Sequence, residues 1–324
     1  MKKIFSLLLT FLLLAAVGCG QTKTAAPAKE AAAPKPSTLH ITYVKAPLNI
    51  PSIIEKKQQL FDKEFGKDNI KIEYPEINSG AKQTEALAAG SLEFLNALGG
   101  TSAILAAANG VDVKVIGVYS RAPKAFTILA MSPDIQSAAD LKGKKVAGPK
   151  GTILHQVLLS ALEQKGLSAN DVSFANMDLP QAVSALVAGH VDAALVAGPA
   201  VLKATESGAH IIATGDGLVD GIIVIATSDK FLKTQPDLVK RFLAVHNSSL
   251  KVLKENQAEA YRLTAEETGL TLDQVQAMAG WYDFDPTIRP ADITELEKTQ
   301  DFLIASKLLD KKIDIKQMIA TVEK

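Results

Sequence analysis

Ten residues starting at Ala86, ALAAGSLEFL, come back in altered form at Ala185 as ALVAGHVDAAL. The echo runs on, with Gly110 matched by Gly208 and Gly117 by Gly215. Each copy reads helix, glycine, strand, helix, glycine, strand, and agreement over that many elements marks a repeated supersecondary unit. Glycine after each helix suits a left-handed cap. The acid that follows, Glu93 or Asp192, stands where a buried strand begins. A repeated unit of this kind restricts the chain to an α/β fold class with two similar halves.

The remaining sequence keeps the same rhythm. The runs LHITYV, IKIEYPEI, VKVIGVYS, FTILAMS, KKVAG, DVSFANM, HIIATG and GIIVIATS alternate with helix-period segments or short turns. That alternation predicts mainly parallel sheets covered by helices. From Ser52, the side chains of Ile53, Ile54, Leu60, Phe61 and Phe65 share one helical face, and Gly66 follows where a C-terminal cap belongs. Beyond Phe231 the pattern is helical almost throughout. Two α/β halves predict two lobes with a central cleft, residues 39–121 plus about 226–324 in one and about 122–225 in the other. The stretch GDGLVDG, Gly215 to Gly221, has the wrong glycine spacing for a dinucleotide loop and reads as a turn or a return crossing between the lobes.

The chain holds one cysteine, Cys19, which rules out an internal disulfide and a Cys-pair metal site. Lys2 and Lys3 precede a run from Ile4 to Val17, apolar except for Ser6 and Thr10, that falls short of the roughly 20 residues a bilayer span requires. Residues 1–18 therefore have the form of a signal peptide. Ala16, Val17 and Gly18 before Cys19 resemble the lipobox of bacterial lipoproteins, which implies lipidation of Cys19 and an extracytoplasmic, membrane-anchored protein. Residues 19–38, rich in Ala, Pro and Lys, carry too little apolar surface to offset ordering and read as a tether. Thirty-five basic residues balance thirty-five acidic ones, and no basic stripe interleaved with aromatics appears, so nucleic acid is not an expected partner.

Ligands in open parallel sheets settle at the carboxyl ends of strands, where loops lead into helix starts. Those loops are Lys45 to Asn49, Asn78 to Gly80, Gly99 to Ser102, Ser120 to Lys124, Gly148 to Thr152, Met177 to Leu179 and Ala197 to Pro199. Ser79-Gly80, Thr101-Ser102 and Gly151-Thr152 stand directly before or at helix starts, whose free N–H groups attract an anionic or strongly polar oxygen. Lys45, Arg121 and Lys150 supply basic groups on the same rims, with Asp178 as the nearby acid. Arg121 is the expected anchor, because its planar fork meets a sulfonate, carboxylate or nitrate with two hydrogen bonds. His155, one turn into the GTILHQ helix, and Trp281 in AGWYDFD are candidate pocket walls.

Enzyme signatures are missing: there is no G-x-S-x-G, no G-x-x-x-x-G-K-[ST] and no H-E-x-x-H. His40, His155, His190, His210 and His246 show no i, i+4 pairing, so no metal and no cofactor is expected.

Taken in order, the lipobox, EINSGAKQTEALAAGSLEFLNALGGTSAILAAANGVDVKVIGV, SAADLKGKKVAGPKGTILHQVLLSALEQKGL and QAVSALVAGHVDAALVAGP resemble the nitrate/sulfonate/taurine group of ABC-transporter substrate-binding proteins, from about Leu39 to Phe284. The resemblance implies a type II periplasmic-binding fold. It also implies a monomer that closes two lobes over a small solute and presents it to a permease with its ATPase. It carries onto this chain Ser79-Gly80, Gly100-Thr101-Ser102 and Gly151-Thr152 as ligand-facing positions, with Asn49 and Gly198 in neighbouring cleft loops. Relatives commonly have Trp two residues before the proline that is Pro199 here; this chain has Ala197, then Gly198, leaving a pocket wider or differently lined. A small organic anion, foremost an aliphatic sulfonate, is the expected solute. A thiamine or pyrimidine precursor, riboflavin, an enzyme acting on such a ring, and a sensory or adhesive lipoprotein are the alternatives.

Overall fold

Among the described residues, ten strands form two sheets of matching order. The computed structural model describes residues 34–44 and 47–322. Lys45 and everything N-terminal to Pro34, including Cys19, the expected signal peptide and most of the expected tether, lie outside the described residues. In chain order the strands are β1 (Thr38–His40), β2 (Lys71–Glu73), β3 (Leu95–Gly99), β4 (Lys114–Arg121), β5 (Phe126–Ala130), β6 (Lys145–Gly148), β7 (Ser173–Asn176), β8 (Ala193–Ala197), β9 (His210–Thr214) and β10 (Ile222–Thr227).

The first sheet runs β2-β1-β3-β10-β4, its two parts joined by a parallel bridge between Ile41 and Phe94. The second runs β7-β6-β8-β5-β9. Within each, four strands point one way and a single strand, β10 or β5, runs antiparallel to its neighbours. That reversed strand is in both cases the first one laid down after the chain changes sheets. The expectation of mainly parallel sheets with helices around them holds.

The repeat in the sequence has a chemical cause at its two acids. Oε2 of Glu93 accepts the backbone N–H of His40 at 2.7 Å, and Oδ2 of Asp192 accepts that of Lys145 at 2.8 Å. Each carboxylate thus satisfies an amide at the edge of β1 or β6, the corresponding strands of the two halves. Gly110 and Gly208, at φ 82° and 97°, end the paired helices in the left-handed region.

The chain crosses between the sheets at residues 122–125 and returns through 215–221. The two crossings lie side by side: the Ala122 amide donates to Gly221 O at 3.3 Å and the Gly215 amide to Pro123 O at 3.1 Å. Because β10 belongs to the first sheet, the return is complete by Gly221, a few residues ahead of the expected 226. Two short crossings and contacts between the lobes make the described residues one compact unit.

One expected helix is two. The segment from Ser52 to Phe65 divides into Ile50–Lys57 and Leu60–Phe65 at Gln59, whose φ of 54° breaks the helical path. The break lets the two pieces face different partners: Ile50 and Ile54 meet Ala260 and Met278, while Phe61 stacks on Phe242 at 4.8 Å. Gly66 is not a left-handed cap, since its φ is −58°; the chain continues through a further turn and Asn69 makes the left-handed exit at φ 57°.

Phe94 stacks on the other side of Phe242 at 4.0 Å and meets Phe231 edge-on at 5.4 Å, so this aromatic column pins β3 to the helix Pro236–Glu255. All three stacked rings are fully buried. Removing the central contact leaves a large cavity that the sheet cannot collapse into. Phe94→Ala is expected to lower the free energy of unfolding by about 3–5 kcal/mol, read by urea denaturation.

Candidate functional site

Five helices that follow strands start without a side-chain cap: Gly80–Ala88, Gly100–Ala108, Ile153–Gln164, Leu179–Val187 and Pro199–Glu206. Some helix starts elsewhere are served by their own side chains, as Ser228 serves Phe231 and Thr271 serves Gln274, while others, such as Pro236–Glu255 and Gln257–Thr268, lack one as well. Ser79 stands at the N-cap but makes no cap bond, and Thr152 turns its hydroxyl backward to donate to Pro149 O at 2.9 Å. Amides at these starts are therefore left for another acceptor.

Three of the starts converge. A methyl group on Gly80 would overlap the Ser102 side chain, with Cβ only 2.7 Å away, so the first and second starts lie flank to flank. Gly99, in the same loop as Ser102, lies 3.6 Å from Ile153 Cδ1 when a Cβ is placed on it, bringing the second-lobe start against them. On the far side, a Cβ on Gly198 would collide with the carbonyl of Pro47, so absence of a side chain is what lets these two loops meet. Gly151, at φ 71°, approaches Leu105.

At the junction lies a cavity lined by Gly100 and Thr101 from the first lobe, Ile153 and Gln156 from the second, Val219, Gly221 and Ile222 from the return crossing, and Glu295, Leu296 and Thr299. Its volume of about 10 Å³ leaves room for roughly one water molecule. Admitting an organic solute requires the lobes to part. Opening would separate Gln156 from Thr299, hydrogen-bonded across the cavity at 3.1 Å, and Gln274 from Glu206, at 3.2 Å. Thr101, only 1% exposed, keeps a hydroxyl that finds no partner among the described residues.

β3 is bent as it enters this site. Ala97 takes φ 80°, and the pairing with β10 skips it, from Asn96–Ile225 to Leu98–Val224. A non-glycine residue held there is strained, and such strain collects at functional loops. Behind the bend, a buried polar network fixes the strand: Asn96 donates to Glu55 at 2.8 Å, and Glu55 is bonded to His246 at 2.7 Å and to Ser249 at 3.0 Å. Tyr119 meets Ser52 in the same network at 2.8 Å, and burial, then the Glu55 charge, holds its phenol protonated far above the usual range.

Arg121 does not face the cavity. Its Nε and Nη2 grip Asp292 at 2.6 and 2.5 Å, Nη2 also donates to Thr287 O at 2.8 Å, and Nη1 donates to Asp285 O at 2.9 Å and lies 3.4 Å from Asp283. With every donor direction committed, the fork holds the first crossing to the helix Pro290–Ala305 and has none left for a ligand. Trp281 likewise lies outside the cavity lining and packs on the cluster of Leu48, Ile50 and Met278, to which Leu202 of the second lobe also adds. Asn49 is buried and its amide donates to Val44 O at 2.7 Å, bracing its own loop. Lys45 lies outside the described residues, and Lys150 is exposed at the rim. The wall formed by Glu295 and Thr299 has no signal in the sequence, since no strand end leads to it.

His155 is buried beside Phe174, with ring centroids 4.7 Å apart, and its Nδ1 receives the Gly151 amide at 3.4 Å. Burial, then the Lys150 charge, pushes its pKa down to about 4. Among the described residues no group of three or more His, Cys, Asp or Glu is placed to hold a metal.

Sheet order, paired crossings and an interlobe cavity at uncapped helix starts define a two-lobed cleft protein of the type II periplasmic-binding fold. The chain belongs to the NMT1/THI5-like family, which it matches over residues 63–260. It is 33% identical over 275 residues to a Bacillus subtilis (strain 168) protein named for binding aliphatic sulfonates, covering 83% of this chain and 82% of the relative. An Escherichia coli (strain K12) protein of the same name is 31% identical over 301 residues, covering 89% and 90%. Among solved structures, the alkanesulfonate-binding protein SsuA from Xanthomonas axonopodis pv. citri, bound to MOPS, aligns with a TM-score of 0.81 at 27% identity, over 89% of this chain and 100% of that one.

Two variants check these assignments. Arg121→Ala strands Asp292, whose side chain is 3% exposed, and is expected to cost about 3–5 kcal/mol of stability by urea denaturation; stability equal to wild type would contradict the clasp. For His155 the unfolded chain binds a proton below about pH 6.5 and the folded chain only near 4. Its contribution is therefore complete above pH 6.5 and is lost as pH falls through that window. Between pH 7 and 5 the wild type should lose about 1–2 kcal/mol of stability that His155→Gln does not lose.

Proposed function

We propose that this chain is the solute-capturing component of an ABC importer and that its solute is a small organic sulfonate, held between the lobes and passed unchanged to a permease. The observation that carries the reading is that uncapped helix starts of both lobes, at Gly100 and Ile153, line one cavity, while Arg121 is committed elsewhere. Amide N–H groups at a helix start suit an oxyanion that is charged at every physiological pH and offers several acceptors. A sulfonate has three such oxygens, enough to bridge two or three starts at once. Bridging both lobes favours the closed form only by the difference in affinity between closed and open states.

The relatives named for sulfonate binding support the same solute class. In this reading Cys19 carries the lipid anchor, residues 19–38 form the tether, and the domain works as a monomer without cofactor. Among the described residues, neither hydroxyl in the cavity wall, Thr101 or Thr299, is hydrogen-bonded to a general base, which favours binding over turnover.

Calorimetric titration of the mature domain with ethanesulfonate, butanesulfonate, isethionate and taurine tests the proposal. At least one should bind with a Kd in the micromolar range or tighter, and Gly80→Ala, which forces Ser102 out of its place, should weaken it about tenfold or more. Failure of all four, alongside tight binding of an uncharged or cationic ring such as a pyrimidine, would overturn it.

A further inference from the structure

The cavity wall includes a carboxylate that a simple alkanesulfonate gives no reason for. Glu295 lies on the helix Pro290–Ala305, is 9% exposed, and shares the cavity lining with Gly100, Thr101, Gln156 and Thr299. One carboxylate oxygen accepts the Asp220 amide at 3.2 Å. The other lies 3.6 Å from Lys298 Nζ, but that side chain is 70% exposed and its charge is largely spent on solvent. Burial is the main cause that raises the proton affinity of Glu295, and the exposed Asp220 carboxylate adds a smaller contribution of the same sign. A purely anionic ligand placed here would meet like charge in a water-poor space.

We infer that Glu295 selects zwitterionic solutes, so that the cleft takes an aminosulfonate with its sulfonate on the helix starts and its ammonium against this carboxylate. The inference rests on the sulfonate reading above and narrows it. The helix starts and the acid lie on different walls of one small cavity, an arrangement that matches opposite charges separated by a few bonds. Hydroxyl and alkyl analogues of the same length would leave Glu295 without a counter-charge once the lobes close, and their binding would then require it to take a proton.

The test compares taurine, isethionate and ethanesulfonate, which differ only in carrying an amine, a hydroxyl or hydrogen at the same carbon. Calorimetry on the wild type should place taurine at least tenfold tighter than either analogue. Glu295→Gln should weaken taurine about tenfold or more and leave isethionate binding no weaker than before, with an unchanged thermal midpoint confirming the fold. Isethionate or ethanesulfonate binding as tightly as taurine to the wild type would overturn the selection while leaving the sulfonate reading intact. Retention of taurine preference by the Gln variant would overturn it as well, and absence of binding by all three would remove both readings together. If the variant does not fold, the ranking of the three ligands on the wild type decides the matter.

Discussion

A helix start has amide protons that must find acceptors, and the architecture here depends on leaving several of them to be satisfied from outside the helix. Five helices that follow strands lack side-chain caps. Glycine or a small residue at positions 79, 80, 99, 100 and 198 keeps the backbone bare and allows loops of the two lobes to touch. The same choice explains why the cavity closes so far, and why polar contacts such as Gln156 to Thr299 span it. Exchange of one strand between the halves, β5 into one sheet and β10 into the other, ties closure to the paired crossings at 122–125 and 215–221.

Around that cleft, charge is used for construction more than for display. Arg121 binds the start of the helix Pro290–Ala305 to the end of β4, directly before the first crossing. Glu295 and Thr299 follow Asp292 by roughly one and two turns on the same helix, so the clasp also sets where the third wall of the cavity stands. The Glu55–His246 pair performs a similar task behind β3, holding the bent segment at Ala97. A buried ion pair in the first place and a buried hydrogen-bonded pair in the second fix geometry, and removal of one partner leaves the other without its contact.

Most of the fold was legible because periodicity of two or near 3.6 survives in the sequence wherever an element has one buried face. All ten strands fall within or beside the apolar runs, and Glu93 and Asp192 proved to be matched amide acceptors. The helix starts at Gly80, Gly100 and Ile153 were legible for the same reason, as places where a strand period gives way to a helical one. Arg121 was misread because an arginine after a strand looks the same whether it serves a ligand or an acid 171 positions away. Gln59 was missed because no local signal marks a non-glycine left-handed residue whose conformation is set by the packing of Phe61 and Ile54. Glu295 and Thr299 were invisible because only tertiary structure brings the C-terminal helix to the cleft.

The central claim is that backbone amides of both lobes, rather than Arg121, grip the solute. Amide chemical shifts of the isotopically labelled domain, followed by NMR while a sulfonate is added, report on those groups one by one. The account predicts the largest downfield changes at Ala81, Thr101, Ser102, Ile153 and Leu154, in both lobes and at the same ligand concentration. Changes confined to one lobe, or centred on side-chain guanidinium signals with these amides unmoved, would contradict it.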